Sequence, residues 1–395
     1  MAIDFRQECL SLCKELILTP GVSGKEEGVA KVLIDFFRLY GASDVRTDRY
    51  GNVIATFNGS KPGKTILFDG HMDTVPVVNE SEWENLPFCP TIKDGKLYGR
   101  GTSDMKCALA AMACAAVAHA MCTNGNFAGK IVVAGVVHEE CFEGVAAREI
   151  SKNVKPDLVI IGEASECNLK TGQRGRAEIV LETFGKSAHS ASPQKGINAV
   201  YLMTDLIRRI RNIEPPISPV LGPGILELTD IKSLPYPGAS VVPDYCRATY
   251  DRRLLVGETK ESVLEPLNKI IEEATKANPE LSAKVSYATG EELCYTGEKI
   301  YGERFFPGWA FDDDEIFVKE ILEGLHDAGV DAKITHYNFC TNASHYAGEA
   351  KIPTVGFGPS METLAHIKDE YVEVAQIEMA LLGYMGILKR LFPEQ

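Results

Sequence analysis

Thr65-Ile66-Leu67-Phe68-Asp69-Gly70-His71-Met72-Asp73 changes character abruptly, from a short apolar run to a polar turn that carries an imidazole between two carboxylates. A brief, continuous apolar run of this kind is the pattern of a strand buried on both faces. In open parallel sheets, ligands collect just outside the carboxyl ends of such strands. The same pattern recurs along the chain. Lys130–Val137 runs into His138-Glu139-Glu140, Asp157–Ile161 into Gly162-Glu163, and Ile352–Phe357 leads through Gly358-Pro359-Ser360 toward His366. Asp104 joins them, between Gly99-Arg100-Gly101 and an apolar helix beginning near Met105.

Outward from these strand ends, the first half alternates helical and strand patterns. Helices are expected at Ala2–Leu18, Lys25–Tyr40 (capped by Ser23), Met105–Met121 and Gly144–Ser151, with a further strand at Asn52–Phe57. Around Arg176 the pattern changes to strand Ala177–Phe184, helix Asn198–Ile213, strands Gly224–Lys232 and Tyr245–Leu254, helix Lys260–Lys276 and strand Ala283–Ala288. That β-α-β-β-α-β order is the ferredoxin-like arrangement. After it, helix Asp314–Ala328, strand Lys333–Asn338 and helix Glu373–Leu391 resume the first pattern. The expected fold is α/β, a mostly parallel mixed sheet flanked by helices, with an inserted ferredoxin-like α+β domain. The catalytic domain would be discontinuous, 1–176 and 291–395, with 177–290 inserted as a lid and dimerisation domain.

Bulk properties limit the function classes. At 395 residues, two domains are the default expectation. A formal net charge of −14 disfavours nucleic-acid and anionic-membrane partners, which need basic patches, and leaves a small molecule as the expected ligand. The start, Met1-Ala2-Ile3-Asp4-Phe5-Arg6, lacks the regions of a signal peptide, and Leu109–Met121 is too short to span a bilayer, so a cytoplasmic location is expected. The 11 cysteines are odd in number, lack a Cys-x-x-Cys and sit mostly in apolar stretches, which reads as reduced thiols packed as small hydrophobes.

His71, Asp104, Glu140, Glu163 and His366 supply two imidazoles and three carboxylates, a mixed nitrogen and oxygen set suited to zinc, cobalt or manganese rather than calcium. If Asp104 bridges, each of two divalent cations receives three protein ligands. Open positions then remain for a water whose proton is easier to remove between cations ~3.5–4 Å apart. Glu139 and Glu140 cannot easily serve one ion together, which leaves Glu139 as general base and proton shuttle. Asp73 is expected to accept the second ring N–H of His71.

Gly70-His71-Met72-Asp73-Thr74-Val75-Pro76, Gly99-Arg100-Gly101-Thr102-Ser103-Asp104-Met105-Lys106, His138-Glu139-Glu140 and Ile161-Gly162-Glu163 resemble the signature blocks of the acetylornithine deacetylase, succinyl-diaminopimelate desuccinylase, aminoacylase and carboxypeptidase G superfamily. The resemblance covers essentially the whole chain and is greatest to YgeY-type hydrolases linked to selenium metabolism. It implies a zinc-exopeptidase-like catalytic domain and two zinc ions, one held by His71, Asp104 and Glu163, the other by Asp104, Glu140 and His366. It also implies a cis peptide after Asp104. Gly185-Lys186-Ser187-Ala188-His189-Ser190 resembles the family's lid motif, which implies that His189 stabilises the oxyanion from the partner subunit of a homodimer. Asp251-Arg252-Arg253 resembles its Asp-x-Arg and makes Arg253 a candidate for the substrate carboxylate, with Arg174 a second. Two departures, Ser240 in Ser240-Val241-Val242-Pro243 and Asn342 in Thr341-Asn342-Ala343-Ser344-His345, are expected near the substrate.

Each assignment has a plainer rival. Glu139-Glu140 could be an acidic helix start and Asp104 a helix cap; His189 could be a turn residue, and Arg253 could solvate a strand end. The run Asp312-Asp313-Asp314-Glu315 reads as a solvated helix start, and His119, His138, His326, His336 and His345 receive no metal role. The activity expected is hydrolysis of an amide C–N bond in a small N-acyl or N-carbamoyl amino-acid-like substrate, with dipeptidase or carboxypeptidase action as the alternative. A non-catalytic metabolite-binding protein is the reading from outside the enzyme class.

Overall fold

The computed structural model describes residues 3–393, so the expected helix start at Ala2 lies outside the described residues; the helix itself runs Phe5–Leu18 and is capped by the Asp4 carboxylate. The chain divides into two compact units: residues through Gln173 with Glu291–Tyr301 and Ala310 onward, and Arg174–Gly290 with Gly302–Trp309. Residues 302–309 join the second unit because Phe305 and Phe306 pair with Ala177 and Arg176.

In the first unit a mixed sheet runs Asp44–Thr47, Val53–Asn58, Ala128–Val136, Lys61–His71, Leu158–Ile161, Thr354–Gly356, Leu169–Gln173, with Ile334–Tyr337 pairing beside the last of these. Its centre is parallel. His71 lies level with Val136, Asp69 with Ile161, and Gly356 with Ile161, so all four carboxyl ends open at one edge. Leu158–Ile161 is buried throughout, as a continuous apolar run between helices requires. The Ala-rich helix Lys106–Cys122 packs against the sheet, against Phe5–Leu18 and against Val374–Leu391. Covered on all sides, it can be apolar all round, and small side chains let its neighbours approach closely. At Gly162 an added Cβ would meet the Met105 and Met112 methyls at 2.6 Å, so those two side chains would have to shift to admit any larger residue beneath the helix.

The second unit has a five-stranded antiparallel sheet in the order Ile225–Leu234, Tyr245–Leu254, Gly175–Phe184, Ser282–Tyr287, with the short Phe305–Phe306 also pairing with Gly175–Phe184. One face packs Ile179, Leu181, Ala248 and Tyr250 against Leu202, Met203 and Leu206 of helix Ala199–Ile210 and Val263 and Leu267 of helix Lys260–Ala277. That strand order and helix placement are ferredoxin-like.

Some expectations fail locally. Ser23 does not cap the second helix, which starts at Glu27; its hydroxyl instead donates to Asp73 Oδ2 at 2.7 Å. Strand Leu169–Gln173 was not expected because Lys170, Gly172 and Gln173 break its apolar pattern, yet all five residues are buried. Hairpin Thr91–Lys93 and Lys96–Tyr98, with Tyr371–Glu373 added as a third strand, was also unread. All 11 cysteines are free thiols. No helix among the described residues is long and apolar enough to cross a membrane.

Candidate metal centre

The strand ends bring His71, Asp104, Glu139, Glu140, Glu163 and His366 into one cluster within the first unit. Asp104 is at its middle. Its Oδ1 lies 2.8 Å from His71 Nε2 and its Oδ2 lies 2.9 Å from His366 Nε2, so each carboxylate oxygen faces a different imidazole. Glu163 Oε1 stands 3.5 Å from the same nitrogen of His71, and Glu140 Oε2 stands 3.0 Å from His366 Nε2. Ligand atoms of His71, Asp104 and Glu140, and separately of His71, Glu139 and Glu163, all lie within 4.8 Å of one another. The peptide between Asp104 and Met105 is cis.

The ring of His71 is oriented differently from expectation. Its Nδ1 meets the backbone carbonyl of Asp73 at 2.8 Å, while the Asp73 carboxylate is 3.7 Å away. An Nδ1–H donating to that carbonyl leaves the Nε2 lone pair facing Asp104 and Glu163, the tautomer a metal ligand needs. The Asp73 carboxylate is used elsewhere. It accepts the backbone N–H groups of Glu139 and Glu140 at 3.1 and 3.2 Å, and the Ser23 hydroxyl. Buried Glu26 accepts the N–H of His138 at 3.2 Å, so two carboxylates hold three successive amides of the turn that presents Glu139 and Glu140.

Charge in this cluster is unbalanced. Burial raises Glu139, Glu140 and Glu163 toward the protonated form, Glu140 to about 7, and neighbouring carboxylates add to the effect. Burial pushes Asp104 up as well, but His366 and His71 outweigh it and hold it low; Asp104 and Glu140 in turn draw His366 up to about 10. His71 is also raised, because Asp104 and Glu163 overcome the burial that opposes its charge. Four largely buried carboxylates around two imidazoles, His71 buried and His366 half exposed, form a set that divalent cations would neutralise. The donors fit such ions.

Asn342 is corrected by the structure. Its amide donates to Asp69 Oδ1 at 3.0 Å and its oxygen accepts the Gly144 N–H at 2.8 Å, so the buried carboxamide has no free group for a substrate. His345, between Ser151 and Glu349, is likewise held by the fold. In the second unit, His189 is exposed and its Nδ1 accepts the Ala191 N–H at 3.0 Å, which leaves the proton of the neutral ring on Nε2. Ser240 adjoins it: its carbonyl accepts the Ser190 N–H at 3.0 Å. Arg253 Nε pairs with Asp251 at 2.8 Å, and Arg174 Nε donates to the Leu221 carbonyl at 2.8 Å.

Sequence reading gave no role to Glu26, Arg100 or Glu370. Arg100 between two glycines was a usable signal, because a buried guanidinium needs a carboxylate partner. That partner is Glu370, at 2.6 Å.

The chain is 29% identical over 388 residues to the uncharacterized protein YgeY of Escherichia coli K12, covering 93% of this chain and 91% of that one. It is 30% identical over 398 residues to a succinyl-diaminopimelate desuccinylase of Cereibacter sphaeroides ATCC 17025, covering 97% and 98%. The aminopeptidase PepT of Bacillus cereus ATCC 10987 shares the fold, with a TM-score of 0.76 at 21% identity and 98% of both chains covered. Residues 67–390 match the model of peptidase family M20/M25/M40, and the chain belongs to that family.

Proposed function

We propose that this metal-dependent hydrolase cleaves the amide C–N bond of a small N-acyl or N-carbamoyl amino-acid-like substrate at a two-ion centre. The observation that carries the reading is Asp104, whose two oxygens each face one imidazole, as a carboxylate shared by two cations requires. His71, Asp104 and Glu163 would hold one ion, and Asp104, Glu140 and His366 the other, with zinc the metal of choice and cobalt or manganese able to replace it. Bound there, the ions would polarise the scissile carbonyl and acidify water.

The chain's own groups supply the rest. Glu139, buried beside the ligand carboxylates, would take a proton from the attacking water and return it to the leaving amine. The Asp73 carboxylate keeps Glu139 placed through its backbone N–H. His189, with its proton on Nε2, is suited to donate to the oxyanion from the partner chain of a homodimer. The mostly exposed edge strand Ile225–Leu234, with Ile231 and Leu234 on its surface, supports such pairing. Arg253, and secondarily Arg174, would receive the substrate carboxylate. The proposed site of action is the cytoplasm.

Dipeptidase or carboxypeptidase action is the second reading, favoured by the description of the family as peptidases. Amine release by zinc-, cobalt- and manganese-reloaded protein across N-acyl amino acids, N-carbamoyl amino acids and dipeptides, with a chelated control, separates the two. Chelator-sensitive turnover of blocked amino acids is expected. Turnover confined to free dipeptides supports the second reading, and turnover that survives chelation contradicts both.

A further inference from the structure

Glu370 lies outside the ligand set, yet it is fully buried and makes more polar contacts to the centre's framework than any ligand does. Its position follows from a small sheet. The hairpin Thr91–Lys93 and Lys96–Tyr98 turns through Asp94 and Gly95, both at positive φ, and Tyr371 pairs opposite Tyr98. That register sets Glu370 beside Gly99, whose N–H donates to the Glu370 carbonyl at 2.9 Å.

The side chain then gathers the loop that carries Asp104. Glu370 Oε1 accepts the N–H groups of Gly101 at 3.1 Å, Ser103 at 2.8 Å and Asp104 at 3.1 Å. Its Oε2 accepts from Arg100 Nη1 at 2.6 Å, and Arg100 Nη2 reaches the His366 carbonyl at 3.5 Å. Amides converge this way only if Gly101 keeps φ at 89°, where an added Cβ would also press on Lys106 and Thr74 at 3.0 Å. Three N–H groups aimed at one oxygen, with a guanidinium on the other, form a dry pocket matched to a carboxylate, and a carboxamide there would turn its NH2 toward Arg100.

We infer that Glu370 is a positioning residue that fixes the bridging carboxylate and couples it to His366, so that both ion sites are preformed together. The inference rests on the two-ion reading above. Glu370 sets the backbone of Asp104 directly and, through Arg100 and the four-residue step along the chain, that of His366. The ion shared by Asp104, Glu140 and His366 therefore depends on it most.

Calorimetric titration of chelator-stripped protein with Zn2+ alone tests this, comparing the wild type, Glu370→Gln and Glu349→Gln. Glu349 is an ion-paired carboxylate held by Arg148 and His345, none of them a proposed ligand, so its variant controls for loss of stability. Glu370→Gln is expected to weaken zinc binding 10- to 100-fold, more at one site than the other, while Glu349→Gln lowers the melting temperature and leaves both affinities unchanged. Arg100→Lys, which keeps the charge but loses the fork, is expected to weaken binding about 10-fold and serves if Glu370→Gln does not fold. A wild type that binds two ions and a Glu370→Gln protein with the same isotherm would overturn the inference alone. A wild type that binds fewer than two ions overturns the two-ion reading and this inference with it.

Discussion

At the residue scale, the proposed mechanism puts proton transfer and scaffolding on different carboxylates. Glu139→Gln removes the proposed base without removing a proposed ligand, and kcat is expected to fall by about 10²–10⁴ while metal content stays at the wild-type value. Quantifying both on the same preparation checks this; unchanged kcat would remove Glu139 from the mechanism. Asn342→Ala tests the correction made above. It strips partners from Asp69 and the Gly144 N–H, so about 1–3 kcal/mol of stability is expected to go, read by denaturant unfolding, with KM unchanged. Of the proposed ligands, His71, Glu140 and Glu163 were legible because each stands just beyond an apolar run, whereas Asp104 was read from the apolar helix that follows it and His366 from a longer lead past Phe357. Asn342 was misread because a polar residue in an irregular stretch looks the same from sequence whether it faces substrate or is consumed by the fold. Asp73 shows a finer limit: proximity to His71 was correct, but backbone and carboxylate oxygens of one residue cannot be told apart by spacing.

At the element scale, strands with a periodic or continuous apolar pattern were found, and short ones whose polar residues are paired at long range were not. Leu158–Ile161 is buried on both faces and reads plainly, whereas Leu169–Gln173 is equally buried but carries Lys170 and Gln173, satisfied by His336, Glu362 and Thr341. Long-range partners of that kind leave no local trace. Helix Lys106–Cys122 ends in a testable feature, His119, which packs against Phe127 and Phe392 with ring centroids 5.3 and 5.9 Å away. Burial lowers its value from 6.5 to about 4. Between these two values the unfolded chain binds the proton more readily than the folded one, so stability is full above pH 6.5 and is lost as pH falls toward 4. The loss is at most about 3 kcal/mol. His119→Phe is expected to flatten that part of the stability profile relative to wild type, as unfolding at pH 4.5 and 7 would show; parallel profiles would contradict the assignment.

At the scale of the whole molecule, the proposed metal centre draws its candidate ligands from separate strand ends and loops spread between residues 71 and 366, so no single segment contains it. The α/β class and the ferredoxin-like insertion were legible because both rest on the order of periodic segments. The return of residues 302–309 to the second unit was not, since it depends on two residues pairing across the chain. Ions that bind only the folded chain must stabilise it by mass action, about 2.7 kcal/mol for each site at a hundredfold excess over Kd. Melting temperature should therefore rise on zinc addition and fall on chelation, and a melting temperature indifferent to both would count against a built metal site. The shared role proposed for Asp104 admits the most direct test. Zinc is titrated into stripped wild type and Asp104→Asn while bound metal per chain is counted. Two ions in the wild type and loss of both in the variant are the expected result; one ion in the wild type, or two undiminished in Asp104→Asn, would contradict a centre built on a bridging carboxylate.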